Sequence, residues 1–198
     1  MIFSSNYDSD VNGLGILAVL VFLIPFLLIL ALAGYLISSF LYMRIFDKAG
    51  VQGKWRAWVP VYNYLILAKL GDLSPWWFLG ALVGAGLLSG IPIVGALLYL
   101  VPLVLIVMYS WRVGLKLGKE WYYLLLFLIP GIGSLIWLAI MAFTSSRWST
   151  ALPLAPWSSS FLADNTVWDG VPPQHGGASP MPPAPGSYTP PTPPAPQS

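Results

Sequence analysis

Acid–base, nucleophilic or metal chemistry would have to come from seven acidic residues and one histidine, since the chain has no cysteine. Three carboxylates, Asp47, Asp72 and Glu120, flank apolar stretches and could act on lipid, but none is paired with another in the sequence. The histidine, His175, lies in a proline- and glycine-rich stretch with no second metal ligand nearby. The sequence therefore predicts no catalytic residue, no metal site and no cofactor, and a lipid-acting enzyme is the least favoured alternative.

An aromatic pattern stands out in the segment between the first two apolar stretches. It consists of Trp55, Trp58, Pro60, Tyr62 and Asn63. The three rings follow i, i+3, i+7 spacing, so one helix would place them all on one face, in the headgroup plane of a membrane. Pro60 either interrupts this register or starts a second helix at its own position. The pattern favours an interfacial anchor over a dedicated binding site.

Asn63 is the polar member of this pattern, and an amide at a membrane boundary can satisfy the orphan backbone groups of a broken helix. Proline interrupts two later apolar stretches, at Pro92 and at Pro130. We therefore expect Asn63 to cap either the break at 91–95 or the break at Pro130.

The composition indicates a chain solvated by lipid. Hydrophobic residues make up 57% of the 198 residues and charged residues only 8%, which excludes an ordinary soluble domain. The thirty-nine residues between Asp72 and Arg112 contain no acidic or basic side chain. The formal net charge of +2 is too small and too dispersed for nucleic acid, so we predict no nucleic-acid partner.

Four apolar segments are predicted to form a multi-pass, all-α helical bundle in residues 13–146. They cover residues 13–43, 76–88, 93–111 and 121–146. Acidic residues precede the first segment where a signal peptide would be basic, so it is expected to be retained as a membrane helix. The second and third segments should form a hairpin, because together they would be about twice as long as the hydrocarbon core is thick. The second is either re-entrant or fully spanning, and the fourth is expected to cross once.

The positive charges predict the orientation of the bundle. Eight of the nine basic residues lie in two connectors, at 44–72 and 112–120. Basic residues near membrane ends favour the cytoplasmic side. Both connectors are therefore expected in the cytoplasm, beside anionic lipid headgroups, while residues 1–12 and the C-terminal tail are expected outside the cell.

The C-terminal tail, residues 147–198, differs sharply in composition from the rest. It holds thirteen of the nineteen prolines, so it is predicted to be disordered, with polyproline II character from 171 onward. Two proline motifs, at 182–185 and 190–193, could dock on the aromatic groove of a protein partner. A spacer is favoured over a ligand. Aromatic residues at 157, 161 and 168 are unusual in such a tail and suggest contact with the outer membrane interface or a partner.

Small residues offer one further expectation about helix packing. Two glycine pairs, Gly80 with Gly84 and Gly86 with Gly90, have the spacing that lets two membrane helices approach closely, as do Gly34 and Ser38 of the first segment. We expect the glycine pairs to pack against Gly34 and Ser38 within the chain, in preference to forming a dimer.

The W-x-x-x-x-P-x-Y-N pattern from Trp55 to Asn63 resembles that of a family of small bacterial integral-membrane proteins of unknown function. Some members of that family are fused ahead of a signal peptidase I domain. The resemblance covers roughly residues 35–145 and includes the stretches at 75–77, 91–94 and 117–119. The chain departs from the pattern in a glycine-rich stretch at 80–90 and at Gly95, where the family tends to have asparagine. The resemblance implies a membrane module of the bacterial cell membrane and supplies no activity.

These observations together predict a non-enzymatic integral membrane protein, acting as a scaffold or an accessory subunit. The alternative is a small channel or transporter for a neutral or apolar solute, with its site at the Pro92 and Pro130 breaks. Against transport, no acidic or basic residue lies at membrane depth to couple an ion or relay a proton.

Overall fold

The computed structural model describes residues 3–91 and 93–174. The described residues are all-helical, apart from one isolated β-bridge between Leu73 and Ala163. In chain order the elements are α1 (Phe3–Lys48), a first 3-10 helix (Lys54–Trp58), α2 (Tyr62–Leu70), α3 (Pro75–Leu87), α4 (Val94–Lys116), a second 3-10 helix (Trp121–Leu128) and α5 (Gly133–Phe143). The all-helical class predicted from the sequence is confirmed.

Two of the described helices are long and apolar enough, by length and composition, to cross a membrane. They are Leu17–Lys48, which is 32 residues of α1, and Val94–Lys116, which is the 23 residues of α4. At about 1.5 Å per residue they measure about 48 and 35 Å, against a hydrocarbon core of about 30 Å. α1 continues without interruption through Pro25. Its side chains at 17–33 are all exposed, which suits a surface that faces lipid.

The predicted hairpin of the second and third segments is present as α3 and α4. α3 ends at Leu87 and α4 begins at Val94, so the chain reverses between these two residues, in the stretch where the helix was expected to break. The turn is held by backbone hydrogen bonds from Ile91 N to Leu88 O (3.1 Å) and from Gly95 N to Ile91 O (2.8 Å). α3 has 13 residues, or about 20 Å of helix, and is shorter than the hydrocarbon core.

The fourth apolar segment does not cross once, and that prediction is wrong. It folds into two short limbs, the second 3-10 helix and α5, which correspond to about 16 Å each at about 2.0 and 1.5 Å per residue. Gly133 makes the reversal possible, since a Cβ at this position would lie 1.8 Å from Leu126 O. The end of α5 lies beside the end of α1, because Lys48 Nζ donates to Met141 O (3.0 Å) and Thr144 O (2.5 Å). The proline break expected inside a helix is therefore the tip of a hairpin.

Residues 147–174, here called the strap, run in irregular conformation across the connectors. Ser149 N donates to Lys116 O (2.9 Å), Ser74 N donates to Leu162 O (2.9 Å), and Gln52 N donates to Gly170 O (2.7 Å). The strap thus touches the ends of α4 and α3 and the loop after α1. We call this side of the molecule the connector end.

The prediction of a disordered tail is wrong for residues 147–174, while residues 175–198 lie outside the described residues. The strap is ordered because four of its apolar side chains are buried against the bundle, at Ala155, Trp157, Ala163 and Val171. The prediction that the connectors and the tail lie on opposite sides is also wrong for these residues, since the strap packs on the connectors themselves.

Most of the buried apolar residues surround α2 at the connector end. α2 is short but buries every residue from Leu65 to Leu70, packed against α4, α3 and the first 3-10 helix. The expected packing of the Gly80 and Gly84 pair on Gly34 and Ser38 is wrong. A Cβ added at Gly34, Gly80 or Gly84 would meet no atom within 4 Å, so these glycines are not points of close helix approach.

Single-cysteine labelling tests whether the connector and the strap share one side of the membrane. The wild-type chain has no thiol and gives the background, whereas Gln52→Cys and Ser159→Cys each add one thiol at an exposed position. We expect a membrane-impermeant maleimide to label both variants from the same side of sealed vesicles. Labelling of the two positions from opposite sides would contradict the placement of the strap.

Candidate functional site

The most concentrated group of charges lies at the connector end, around the buried side chain of Asp72. Arg112 Nε donates to Asp72 Oδ2 at 2.5 Å, and Lys116 Nζ donates to Asp72 Oδ1 at 2.6 Å. The relative exposure of the Asp72 and Lys116 side chains is 1% each. Arg112 also donates to Pro153 O in the strap, and Lys116 to Leu70 O at 2.7 Å. One carboxylate therefore joins two cations from α4 to the end of α2.

Local geometry explains why Asp72 reaches α4. Gly71, at the end of α2, is pressed against α4, where a Cβ would lie 2.6 to 2.7 Å from atoms of Tyr109. Asp72 then adopts a left-handed backbone conformation with φ of 62°, which an aspartate accepts more readily than most residues. Arg112 and Lys116 are four residues apart on α4, so both side chains lie on the same face.

A second buried ion pair joins α2 to the strap. Lys69 Nζ donates to Asp164 Oδ2 at 2.6 Å and to Thr166 Oγ1 at 3.0 Å, and it also donates to Thr166 O. The other carboxylate oxygen, Asp164 Oδ1, accepts hydrogen bonds from Thr166 N (3.0 Å) and Thr166 Oγ1 (2.6 Å). Both charged side chains are almost fully buried, with relative exposures of 3% and 6%.

The far end of the strap returns to Lys116. Gln174 Oε1 accepts hydrogen bonds from Lys116 Nζ (3.2 Å) and Trp148 Nε1 (3.1 Å), and Gln174 Nε2 donates to Pro172 O (2.8 Å). Trp157, which lies between Trp148 and Gln174 in the strap, donates from its Nε1 to Asp72 O at 2.9 Å. We use the term ionic clamp for Lys69, Asp72, Arg112, Lys116 and Asp164.

The chemistry of the ionic clamp is suited to holding the chain, because each carboxylate is ion-paired. Buried charges are tolerated only when their partners are close and their remaining hydrogen-bonding groups are satisfied. Here the three cations outnumber the two carboxylates, and backbone carbonyl oxygens of Leu70, Pro153 and Thr166 accept the additional hydrogen bonds. Over the described ranges 3–91 and 93–174, no group of three or more histidine, aspartate or glutamate side chains could hold a metal ion.

One residue of the predicted aromatic pattern, Tyr62, contacts the strap. Tyr62 is stacked between Trp55 and Trp168, with ring centroids 5.7 and 5.6 Å away and interplanar angles of 2° and 9°. Trp168 also meets Trp76 edge to face at 6.3 Å. The pattern thus contributes an aromatic stack that closes over the end of the strap.

A second helix does begin after Pro60, as one of the two alternatives predicted, but it starts at Tyr62 and not at Pro60 itself. Trp55 and Trp58 belong to the first 3-10 helix, and α2 begins at Tyr62, two residues after Pro60. The three rings are therefore not carried by one continuous helix. Trp58 contributes its backbone carbonyl, which accepts a hydrogen bond from Tyr35 OH.

The predicted role of Asn63 as a cap for a distant helix break is wrong. Asn63 is buried, and its Nδ2 donates to Ala57 O at 3.4 Å, within the same connector. Its Oδ1 is buried without a hydrogen-bond partner among the described residues. Asn63 therefore ties the first 3-10 helix to the start of α2.

A cavity of about 390 Å³ lies between α1, α2, α4 and the hairpin of the second 3-10 helix and α5. Eight of the residues that line it carry aromatic rings or hydroxyl groups: Ser38, Tyr42, Tyr64, Tyr109, Ser110, Phe127, Ser134 and Trp137. Its wall also includes Gly131, next to Pro130, so the cavity reaches the predicted break of the fourth segment. Pro92, the other predicted break, lies outside the described residues.

The sequence did not indicate which residues of the strap would contact the cations of the ionic clamp. Asp164 and Gln174 lie in a stretch whose proline content predicted disorder, and Lys69 and Asp164 are 95 positions apart. The one signal available was the presence of Trp157 and Trp168 in an otherwise polar stretch. Both indole rings now prove to contact the bundle.

These features define an all-helical chain that has two helices suited in length and composition to a membrane and is closed at one end by an ion-paired strap. No protein-family profile, curated protein or solved structure matches this chain. The resemblance to a small bacterial membrane family through Trp55 to Asn63 stays a prediction.

Replacing Asp72 by asparagine tests the ionic clamp. The Asp72→Asn variant keeps the side-chain shape but leaves Arg112 and Lys116 buried without their shared counter-charge. We expect the free energy of unfolding to fall by about 3–5 kcal/mol, as when one partner of a buried ion pair is removed. Denaturant unfolding of the purified protein in detergent micelles, followed by tryptophan fluorescence, measures this loss.

Asp47→Asn is the matched control for that variant. Asp47 pairs with Lys54 at 3.9 Å, and both side chains are largely exposed. Solvent screens such a pair, so we expect a loss of no more than about 1 kcal/mol. Equal stabilities of the two variants would show that the ionic clamp does not hold the fold.

Trp168→Ala tests the aromatic stack. Loss of the ring should open the end of the strap, because an aromatic pair contributes about 0.5–1.5 kcal/mol beyond its buried area. We expect faster hydrogen exchange at the Gln52 and Ser74 amides, which donate to strap carbonyls. Val167→Ala is the control, since Val167 is 94% exposed. Unchanged exchange in Trp168→Ala would mean that the stack does not hold the strap.

Proposed function

We propose that this protein is a non-enzymatic scaffold or accessory subunit of the bacterial cell membrane. The observation that carries the proposal is the ionic clamp. In it the buried Lys69–Asp164 ion pair joins the strap to α2, and both cations that pair with Asp72 also donate hydrogen bonds to the strap. Of the three candidates for lipid chemistry, Asp72 belongs to the ionic clamp, Asp47 pairs with Lys54 at the surface, and Glu120 lies exposed beside Trp121. The arrangement supports attachment of a polypeptide and offers no paired acid and base.

The strap supports a role in presenting the residues that follow it. It is held up to Gln174, whose side chain contacts Lys116 and Trp148. The next 24 residues, 175–198, contain the two proline motifs at 182–185 and 190–193. A segment of this composition is a ligand for aromatic grooves of partner proteins, and a fixed starting point would keep it close to the membrane surface.

The charges around the connector end support a cytoplasmic position for the connectors and the strap together. Arg44, Lys54 and Arg147 are exposed there, near the ends of the apolar helices. Anionic lipid headgroups of the cytoplasmic leaflet are the natural counter-charge for such residues. In this proposal the tail is cytoplasmic as well, since it leaves the molecule from the strap.

Photocrosslinking in native membranes tests the scaffold proposal. The full-length chain is compared with a full-length variant in which the prolines of both motifs are replaced by alanine: Pro182, Pro183, Pro185, Pro190, Pro191 and Pro193. We expect the variant to lose the crosslinked partner, because alanine does not fix the polyproline II conformation. The matched control replaces Ala184, Ser187 and Thr192 by glycine, alanine and serine and should keep the partner.

Two results would contradict the proposal. Identical crosslinks in the wild type and the proline variant would show that the tail does not recruit a partner. Solute-specific flux through liposomes that contain only the purified protein would favour the channel or transporter alternative.

One observation favours that alternative, a channel or transporter for a neutral solute. The cavity lies where the Pro130 break was expected to form a site, and its lining residues include no aspartate, glutamate, lysine, arginine or histidine. A path for a neutral solute would need such a lining.

A further inference from the structure

We infer that the cavity between α1, α2, α4 and α5 is a binding site for one neutral, mostly apolar molecule that carries a ring and a hydroxyl or carbonyl group. The inference concerns occupancy of the cavity and does not depend on the scaffold proposal. A scaffold needs no such site, and a site for a bound molecule does not require transport.

The cavity exists because small residues face one another at one level of the bundle. Gly34 and Ser38 are one helical turn apart on α1. On the opposing hairpin, Gly131 lies at the tip and Ser134 at the start of α5. A Cβ at Gly34 would meet no atom within 4 Å, so a larger side chain would fit there. A volume of about 390 Å³ is in the range of small-molecule sites, which hold about 300–1,000 Å³.

An unfilled space of this size would leave its lining atoms without contacts. Protein interiors are densely packed, and atoms that border a void lose their dispersion attraction. The cavity is also far larger than one water molecule, which occupies about 30 Å³. A molecule that fills the space makes dispersion contacts with the lining atoms, and these contacts favour its binding.

The lining determines what chemistry the molecule has. Tyr42, Tyr109 and Trp137 are buried and supply aromatic surface to pack against a ring. The phenol groups of Tyr42, Tyr64 and Tyr109 offer hydroxyls that can donate to or accept from one polar group of the molecule. The rings of Tyr42 and Tyr64 meet edge to face at 5.7 Å, so these two phenols lie on the same wall.

The same lining excludes a charged molecule. None of the residues around the cavity carries a formal charge at neutral pH, so an ionic group would lose its water without gaining a counter-charge. A purely apolar molecule would make no hydrogen bond to the phenol groups. A neutral molecule with one hydroxyl or carbonyl group satisfies both conditions.

Access to the cavity is from the lipid-facing side of the bundle. Ser134 is exposed, and Gly34 and Ser38 keep part of their surface exposed. These residues flank the opening between α1 and α5. The bound molecule can thus come from the bilayer itself, as a neutral lipid, or from outside, as an apolar solute that partitions into the membrane.

The test uses the full-length protein in lipid nanodiscs and 4-hexylphenol carrying a photoreactive diazirine on its chain. We expect crosslinks in peptides that contain Tyr109 or Trp137. Unlabelled 4-hexylphenol should compete, whereas the anionic 4-hexylbenzoate should not. Equal competition by both compounds, or crosslinks confined to the exposed surface of α1 at 17–33, would overturn the inference.

Gly34→Leu fills the cavity and should lower the crosslinking yield by about tenfold, the cost expected for overpacking a filled space. Gly80→Leu is the matched control, because it adds the same side chain where a Cβ meets no atom and no cavity is lined. Unchanged exchange of the Gln52 amide verifies that both variants keep the strap in place. Equal yields from the two variants would overturn the inference.

A second variant tests the inference independently if Gly34→Leu does not fold. Tyr109→Phe removes one hydroxyl and leaves the ring, so the preference for 4-hexylphenol over hexylbenzene should fall while hexylbenzene still competes. No change in this preference in either Tyr109→Phe or Tyr42→Phe would overturn the proposed polar contact.

Mass spectrometry of the purified protein identifies the source of the bound molecule. A neutral lipid that co-purifies with the wild type and Gly80→Leu, but not with Gly34→Leu, would support the site and assign its occupant to the bilayer. Specific crosslinking without a co-purifying lipid would support the site and assign its occupant to membrane-partitioning solutes.

Discussion

The buried carboxylate of Asp72 is the interaction on which the connector end depends. Two cations of α4 donate to its side chain, and Trp157 of the strap donates to its backbone carbonyl. Removed from water, Arg112 and Lys116 have no other acidic side chain within ion-pair distance in the described part of the chain. Because an uncompensated buried charge is costly, α2, α4 and the strap are held in one arrangement.

An irregular strap suits this arrangement better than a helix would. The ionic clamp holds three cations and two carboxylates, so it needs acceptors other than acids. Carbonyl groups inside a helix are occupied by the hydrogen bonds of the helix, whereas those of an irregular segment are free to accept from side chains. Pro153 O accepts from Arg112, and Thr166 O accepts from Lys69. The irregular conformation of the strap thus provides these two acceptors.

Features set by neighbouring residues, such as helices and breaks, could be predicted from the sequence. Features set by contacts between distant residues, such as the strap, could not. Apolar runs gave the helical class, and the glycine and proline at 90–92 gave the α3–α4 hairpin. The same kind of break at Pro130 was expected within a crossing, because sequence shows a broken helix without showing whether the chain continues or reverses. The strap failed for a related reason. Its order comes from partners that are distant in the chain, such as Arg56 Nη2 and Asp169 O, 113 positions apart, and no local pattern encodes these contacts.

The lengths of the helices explain why the two candidate sites lie at different levels. α3, α5 and the second 3-10 helix are short and all begin or end at the connector end, where most of the core and every buried ion pair among the described residues are found. Beyond the tips of these limbs, α1 continues with all its side chains exposed at 17–33. The cavity lies beside the tip of the last hairpin, at Gly131 and Ser134. The cavity therefore lies where the core ends. On one side Leu67 and Tyr109 belong to the buried core, and on the other Gly34 and Gly131 keep exposed surface.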